Sequence, residues 1–155
     1  MTRYSLFLAA TIALLPLPSH AQDDETFGVW RRTCADGPCQ IYLGLRNPDT
    51  DETVASIAVV HDGESEIGSL FIEVPTRVAL PPGVTLEIGD VSEAIPYQFC
   101  RPEGCMAIAA MSSELVDALE DADEANLSFV RYGSGTAEAV RVPVSGFAEG
   151  YESLK

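Results

Sequence analysis

The sequence predicts an all-β fold of the sandwich or barrel kind. Three observations carry that expectation: short runs in which apolar and polar side chains alternate, turn residues that punctuate them closely, and only one stretch with clear helical periodicity. The chain has 155 residues, of which 46% are hydrophobic. That is too apolar for a disordered polymer and the right length for one domain with a core of its own.

The strand patterns come in order along the chain. Ile41, Leu43 and Leu45 alternate with Tyr42, Gly44 and Arg46. Val84, Leu86 and Ile88 alternate with Thr85, Glu87 and Gly89, and Val140, Val142 and Val144 alternate with Arg141 and Pro143. Each pattern has period two and turns one face to a core. Residues 54–60 and 70–74 are apolar on both faces, as expected of central strands. Asn47-Pro48-Asp49, Asp62-Gly63, Pro81-Pro82-Gly83, Gly89-Asp90 and Gly133-Ser134-Gly135 supply the turns. One short helix is expected at about residues 113–122. Ser112 or Ser113 caps it, Glu114 stands in its first turn, and Leu115, Val116, Leu119 and Ala122 form its apolar face. The helix is expected to lie over one open end of the sheets, and a second helical turn can form at 147–154.

Residues 1–21 read as a secretory signal. Arg3 gives a positive start, residues 6–15 are an uncharged apolar run, and Pro16, Pro18 and Ser19-His20-Ala21 close it with small and helix-breaking residues. The run is too short to span a membrane, which needs about 20 apolar residues. Cleavage is expected after Ala21, leaving a single domain over 22–155 in the periplasm or outside the cell. No other stretch is long and apolar enough for a membrane span.

The cysteines form two matched pairs, Cys34 with Cys39 and Cys100 with Cys105. Four cysteines allow three connectivities. Export to an oxidising compartment makes disulfides the default. Turn chemistry favours the local bridges Cys34–Cys39 and Cys100–Cys105. Arg101-Pro102-Glu103-Gly104 suits a type I turn, and Asp36-Gly37 is a hairpin signal, although Pro38 cannot close that turn with an N–H. A long-range pairing such as Cys34 with Cys105, a four-cysteine zinc site and a redox site stand as rivals. The redox site would want a two-residue spacing at a helix N-terminus.

Candidate chemistry is sparse. Past the leader one histidine is left, His61, so an enzyme would have to be built on it with a nearby carboxylate or serine. No Gly-x-Ser-x-Gly elbow exists to present a nucleophile. The run from Asn47 to Asp51 opens like a calcium loop, but Glu52 stands where glycine is required and Ala58 where the loop needs glutamate. Glu114, Asp117, Glu120, Asp121, Asp123 and Glu124 read as a solvated acidic face rather than a metal site. The sequence thus predicts no catalytic residue, no cofactor and no metal. Nine basic residues against 24 acidic ones give a net charge of −15 and a pI near 4.2. That excludes nucleic acid and anionic lipid as partners and favours a basic protein or surface. Among the aromatics Trp30 is expected to pack on a disulfide, and Tyr42, out of phase with Ile41, Leu43 and Leu45, is the candidate exposed contact.

Several of these pieces together resemble the invasion-associated locus B family of exported bacterial proteins. They are Phe27-Gly28-Val29-Trp30 ahead of Cys34 and Cys39, the run from Pro82 to Ile88, Tyr97-Gln98-Phe99-Cys100 through Gly104-Cys105, and Pro143-Val144-Ser145-Gly146-Phe147. Ser145 abuts Gly146 where the family carries two more residues, so a tighter last crossover is expected. The resemblance implies an immunoglobulin-like β-sandwich, export, and no catalytic residues to transfer. Family members in pathogens are associated with entry into host cells, and relatives occur in free-living bacteria. The reading is therefore a disulfide-stiffened binding module of the envelope or extracellular space. Its rivals are a periplasmic enzyme using His61 and a purely structural envelope protein.

Overall fold

In a computed structural model the protein is described over residues 24–34, 37–61 and 67–155. The leader, its cleavage site and the Asp62-Gly63 turn lie outside these residues. The fold is a β-sandwich of two antiparallel sheets with two short helices. Five strands run as a meander: β1 (Glu25–Phe27), β2 (Trp30–Thr33), β3 (Gln40–Arg46), β4 (Thr53–Val60) and β5 (Ser69–Val74). The chain then crosses to the second layer for the hairpin β6 (Val84–Ile88) and β7 (Val91–Ile95). It returns to the first with β8 (Tyr97–Cys100) and β9 (Cys105–Ala110), the latter pairing with β5. Helix α1 (Ser113–Asp121) leads into β10 (Glu124–Val130) and β11 (Ala137–Pro143), and α2 (Phe147–Glu152) closes the chain. The layers are a seven-stranded sheet, β1-β2-β3-β4-β5-β9-β8, and a four-stranded sheet, β11-β10-β6-β7.

Alternation decides what is buried. Ile41, Leu43 and Leu45 on β3, Ile57 and Val59 on β4, and Leu70, Ile72 and Val74 on β5 face Val84, Leu86 and Ile88 on β6 and Leu127 and Phe129 on β10 in one continuous core. The four-stranded sheet is too narrow to cover the larger one. The helices complete that layer: α2 packs on β1 and β2, and α1 on β7 and α2. Helix α1 starts where its cap allows, with the Ser112 side chain accepting a hydrogen bond from the Leu115 N–H at 3.1 Å. Its Leu115, Val116 and Leu119 are buried and Glu114, Asp117, Glu120 and Asp121 are exposed, the amphipathic split that sequence spacing predicts.

The two ends of the described chain meet. Gly28, in the β1–β2 turn, and Gly146, just before α2, both have positive φ, 55° and 85°. Their backbones lie back to back, and the Val29 N–H donates to the Ser145 carbonyl at 3.2 Å. A side chain on Gly28 would fall on the Ser145 carbonyl, and one on Gly146 on the Phe27 carbonyl. Trp30, 1% exposed, then meets Phe147 edge to face at 5.5 Å. The ring that Trp30 meets is thus Phe147, across the Gly28–Gly146 contact, a partner that the sequence does not point to.

Candidate interaction surface

Both cysteine pairs lie in hairpins of the seven-stranded sheet. Cys34 is bridged to Cys39 between β2 and β3, and Cys100 to Cys105 between β8 and β9. In the second hairpin Arg101 and Gly104 exchange both backbone hydrogen bonds, 2.8 and 3.2 Å. The next pair outward, Cys100 and Cys105, therefore occupies a non-hydrogen-bonded position, where opposed Cα atoms come closest. The separation is 4.0 Å. The two bridges stand at opposite ends of the sheet, because Gln40 pairs with the last residue of β4, whereas Cys105 pairs with the last residue of β5.

Between those hairpins lies the outer face of the sheet. Register puts Tyr42, Ala58, Phe71 and Ile108 in one row across four adjacent strands. All four alternate with core residues, so they point away from the core. Tyr42 is 39% exposed, and Ala58, Phe71 and Ile108 are half-buried by one another. The neighbouring row carries Gly44, Ser56, Glu73 and Met106, with Phe99, 45% exposed, paired to Met106. The two-sided apolar pattern of 54–60 and 70–74 thus marks central strands, as the sequence predicts. No second layer covers their outer side among the described residues. Tyr42 alone was legible as an exposed contact; the row became visible only once the strand order and register were known.

Acidic side chains collect on the other side of the molecule. Glu114, Asp117, Glu120 and Asp121 line the exposed side of α1, and Asp123, Glu124 and Glu87 continue from it onto the four-stranded sheet. Glu87 and Glu124 share an open depression there with Ser92 and Asn126. Arg141 answers Glu124 at 3.2 Å.

The other candidates for chemistry have local structural roles. His61, at the end of β4, sets its ring edge-on to Tyr151 at 6.5 Å. Tyr151 stacks on Phe147 and its hydroxyl donates to the Ile67 carbonyl at 2.6 Å. The calcium-like run closes on itself: Asn47 Oδ1 accepts from the Asp49 N–H at 2.8 Å, and Asp51 pairs with Arg46 at 3.2 Å. Ser134 Oγ lies 3.0 Å from both the Arg131 and Thr136 carbonyl oxygens, a turn role. No three of His, Cys, Asp and Glu converge on a metal-sized space among the described residues. No helix there is long and apolar enough to cross a membrane.

Tyr97, on β8, has a buried hydroxyl without a hydrogen-bond partner among the described residues, and burial pushes its pKa up to about 12. The unfolded phenol titrates near 10. The neutral phenol is therefore compatible with the fold at and below pH 10. As pH climbs from 10 toward 12, the unfolded chain ionises first and folding stability falls. Denaturant midpoints at pH 9 and 11.5 should show a larger loss for the wild type than for Tyr97→Phe; equal losses would refute the assignment.

Comparison with the curated proteins finds no match. Among solved structures, the chain resembles the crystal structure of invasion associated protein B from Bartonella henselae, with a TM-score of 0.74 and 21% identity over 84% of this chain and 94% of that one. At that identity the likeness is one of fold. The model of the Invasion associated locus B (IalB) family matches residues 30–155, which include both disulfides, Trp30 and its partner Phe147, and the whole of both sheets beyond β1. The chain belongs to the invasion associated locus B family.

Proposed function

We propose that this protein is an exported, non-catalytic interaction module of the bacterial envelope or extracellular space, released from its leader after Ala21 as one domain over 22–155. One observation carries the reading: no acidic, basic, amide or hydroxyl-bearing residue other than tyrosine is fully buried among the described residues. Catalytic acids, bases and nucleophiles are tuned by withdrawal from water and by close partners. Here the acids and bases lie toward the surface, and the depressions they line are open. What the molecule offers is faces. Local disulfides at hairpin ends suit such a role, because they stiffen a surface more than they tie the fold together.

The acidic side, α1 with the adjoining end of the four-stranded sheet, is the face for a basic partner. Charge steering across that face weakens with salt. The family name and the Bartonella relative's title add host-cell association to the reading, which comparison of cell entry by deletion and parent strains tests on its own.

The test has two parts. Cell fractionation with N-terminal sequencing and intact mass should find a chain beginning at Gln22, outside the cytoplasm, with no free thiol. An uncut leader or four free thiols would overturn export. Pull-down by immobilised protein should lose most of its yield between 50 and 500 mM salt, a range over which the Debye length falls from about 14 to 4 Å. A yield independent of salt would overturn the basic partner.

A further inference from the structure

The outer face of the seven-stranded sheet departs from what a two-layer sandwich needs. The solvent side of an antiparallel sheet is expected to be polar, yet the Tyr42–Ala58–Phe71–Ile108 row and its neighbours Val60 and Met106 are apolar. The face also excludes acid. The chain has 24 acidic residues, but across the paired outward positions of β3, β4, β5 and β9 the only one is Glu73. Charges at its margins are sorted. Arg31 and Arg46 stand on the β2–β3 side. Arg31 has no ion-pair partner among the described residues, and Arg46 pairs with the exposed Asp51. Glu73 and Glu103 stand on the β5–β9 side, lining one depression with Ser56 and Thr53. Arg101 reaches Glu73 only at 3.9 Å.

We infer that this face is a self-association surface and that its occupant is a second copy of the same chain. A two-fold axis running along the strands between β4 and β5 turns one copy's sheet onto the other's. It lays the β3 side of each over the β5–β9 side of its mate. Tyr42 then meets Ile108, Ala58 meets Phe71, and the Arg46 margin meets the Glu73–Glu103 margin, twice over, as an isologous contact requires. Acid exclusion argues for the same occupant. Copies carrying about −15 each repel wherever carboxylates face carboxylates, and this is the broad face where they do not. Four strands spaced about 4.8 Å apart and five residues long cover about 300 Å² per copy, below the size of stable interfaces and in keeping with a weak, transient contact. The association is therefore reversible, with a dissociation constant in the micromolar range or weaker. It is independent of the basic-partner reading, since the acidic face lies on the opposite layer and stays open in the pair.

Sedimentation equilibrium of the chain beginning at Gln22 tests this. The expected result is a monomer–dimer equilibrium. Ala58→Lys, next to the axis, should weaken it at least tenfold with an unchanged circular dichroism spectrum and melting temperature. Glu103→Arg should weaken it too, and adding Arg46→Glu should restore it, because each copy then meets the reversed charge in its mate. A chain that is monomeric up to about 1 mM would overturn the proposal and leave the face to another partner. A dimer that Ala58→Lys leaves intact would overturn it as well, by placing the contact elsewhere. Neither outcome bears on pull-down of a basic partner by the acidic face.

Discussion

Gly146→Ala should destabilise the protein by about 3–5 kcal/mol, in the far tail of single substitutions. Two effects add. The residue sits at φ 85°, where an L side chain costs about 1–2 kcal/mol. Its Cβ would also land on backbone, the Phe27 carbonyl and the Gly28 nitrogen, which cannot rotate aside as a side chain can. Gly28→Ala should behave alike, because its Cβ meets the Ser145 carbonyl from the other side of the same contact. Gly133 supplies the control. Its φ is 83°, but nothing lies within 4 Å of the Cβ position, so Gly133→Ala should show the conformational part alone, about 1–2 kcal/mol. Urea unfolding of the three variants checks this. Equal midpoints for Gly146→Ala and Gly133→Ala would show that the close approach contributes nothing.

Trp30→Ala is expected to cost about 3–5 kcal/mol, the usual range for removing a fully buried large aromatic. The indole nitrogen has no hydrogen-bond partner among the described residues, so the loss is one of packing. Trp30→Phe should accordingly be much milder, under about 2 kcal/mol. A double-mutant cycle with Phe147→Leu should return a coupling of about 0.5–1.5 kcal/mol for the edge-to-face pair. Unfolding by circular dichroism, rather than by the fluorescence that the substitution removes, measures all three. If the cycle gave no coupling, the two rings would not be stabilising one another.

Local pattern in the sequence reached the elements and stopped at their contacts. Alternation located β3, β6 and β11, and Ser112 with Glu114 located the start of α1, because both signals are properties of neighbouring residues. The Arg101–Gly104 turn was legible for the same reason. The pairing of Trp30 with Phe147 is not legible, because the two stand 117 residues apart and no local rule connects them. The conformations of Gly28 and Gly146 were equally hidden: each looks like an ordinary turn glycine until the other is seen against it. The apolar outer face had the intermediate case. Two-sided apolarity in β4 and β5 marks them as central strands. Which side the sandwich leaves uncovered follows from strand order and from the difference in width between the sheets, neither of which a single strand encodes.

The glycine contact also has a bearing on how the chain acquires its shape. Every strand has a sheet partner once β11 is made, but the first hairpin has its aromatic ring seated only when the final dozen residues arrive. A polypeptide lengthening from its beginning therefore holds Trp30 unsheltered until the last moment, and the closing of so long a loop sets a late, slow step. Hydrogen exchange should find the amides of Val29 and Phe147 opening as a single unit, although nearly the whole sequence separates them.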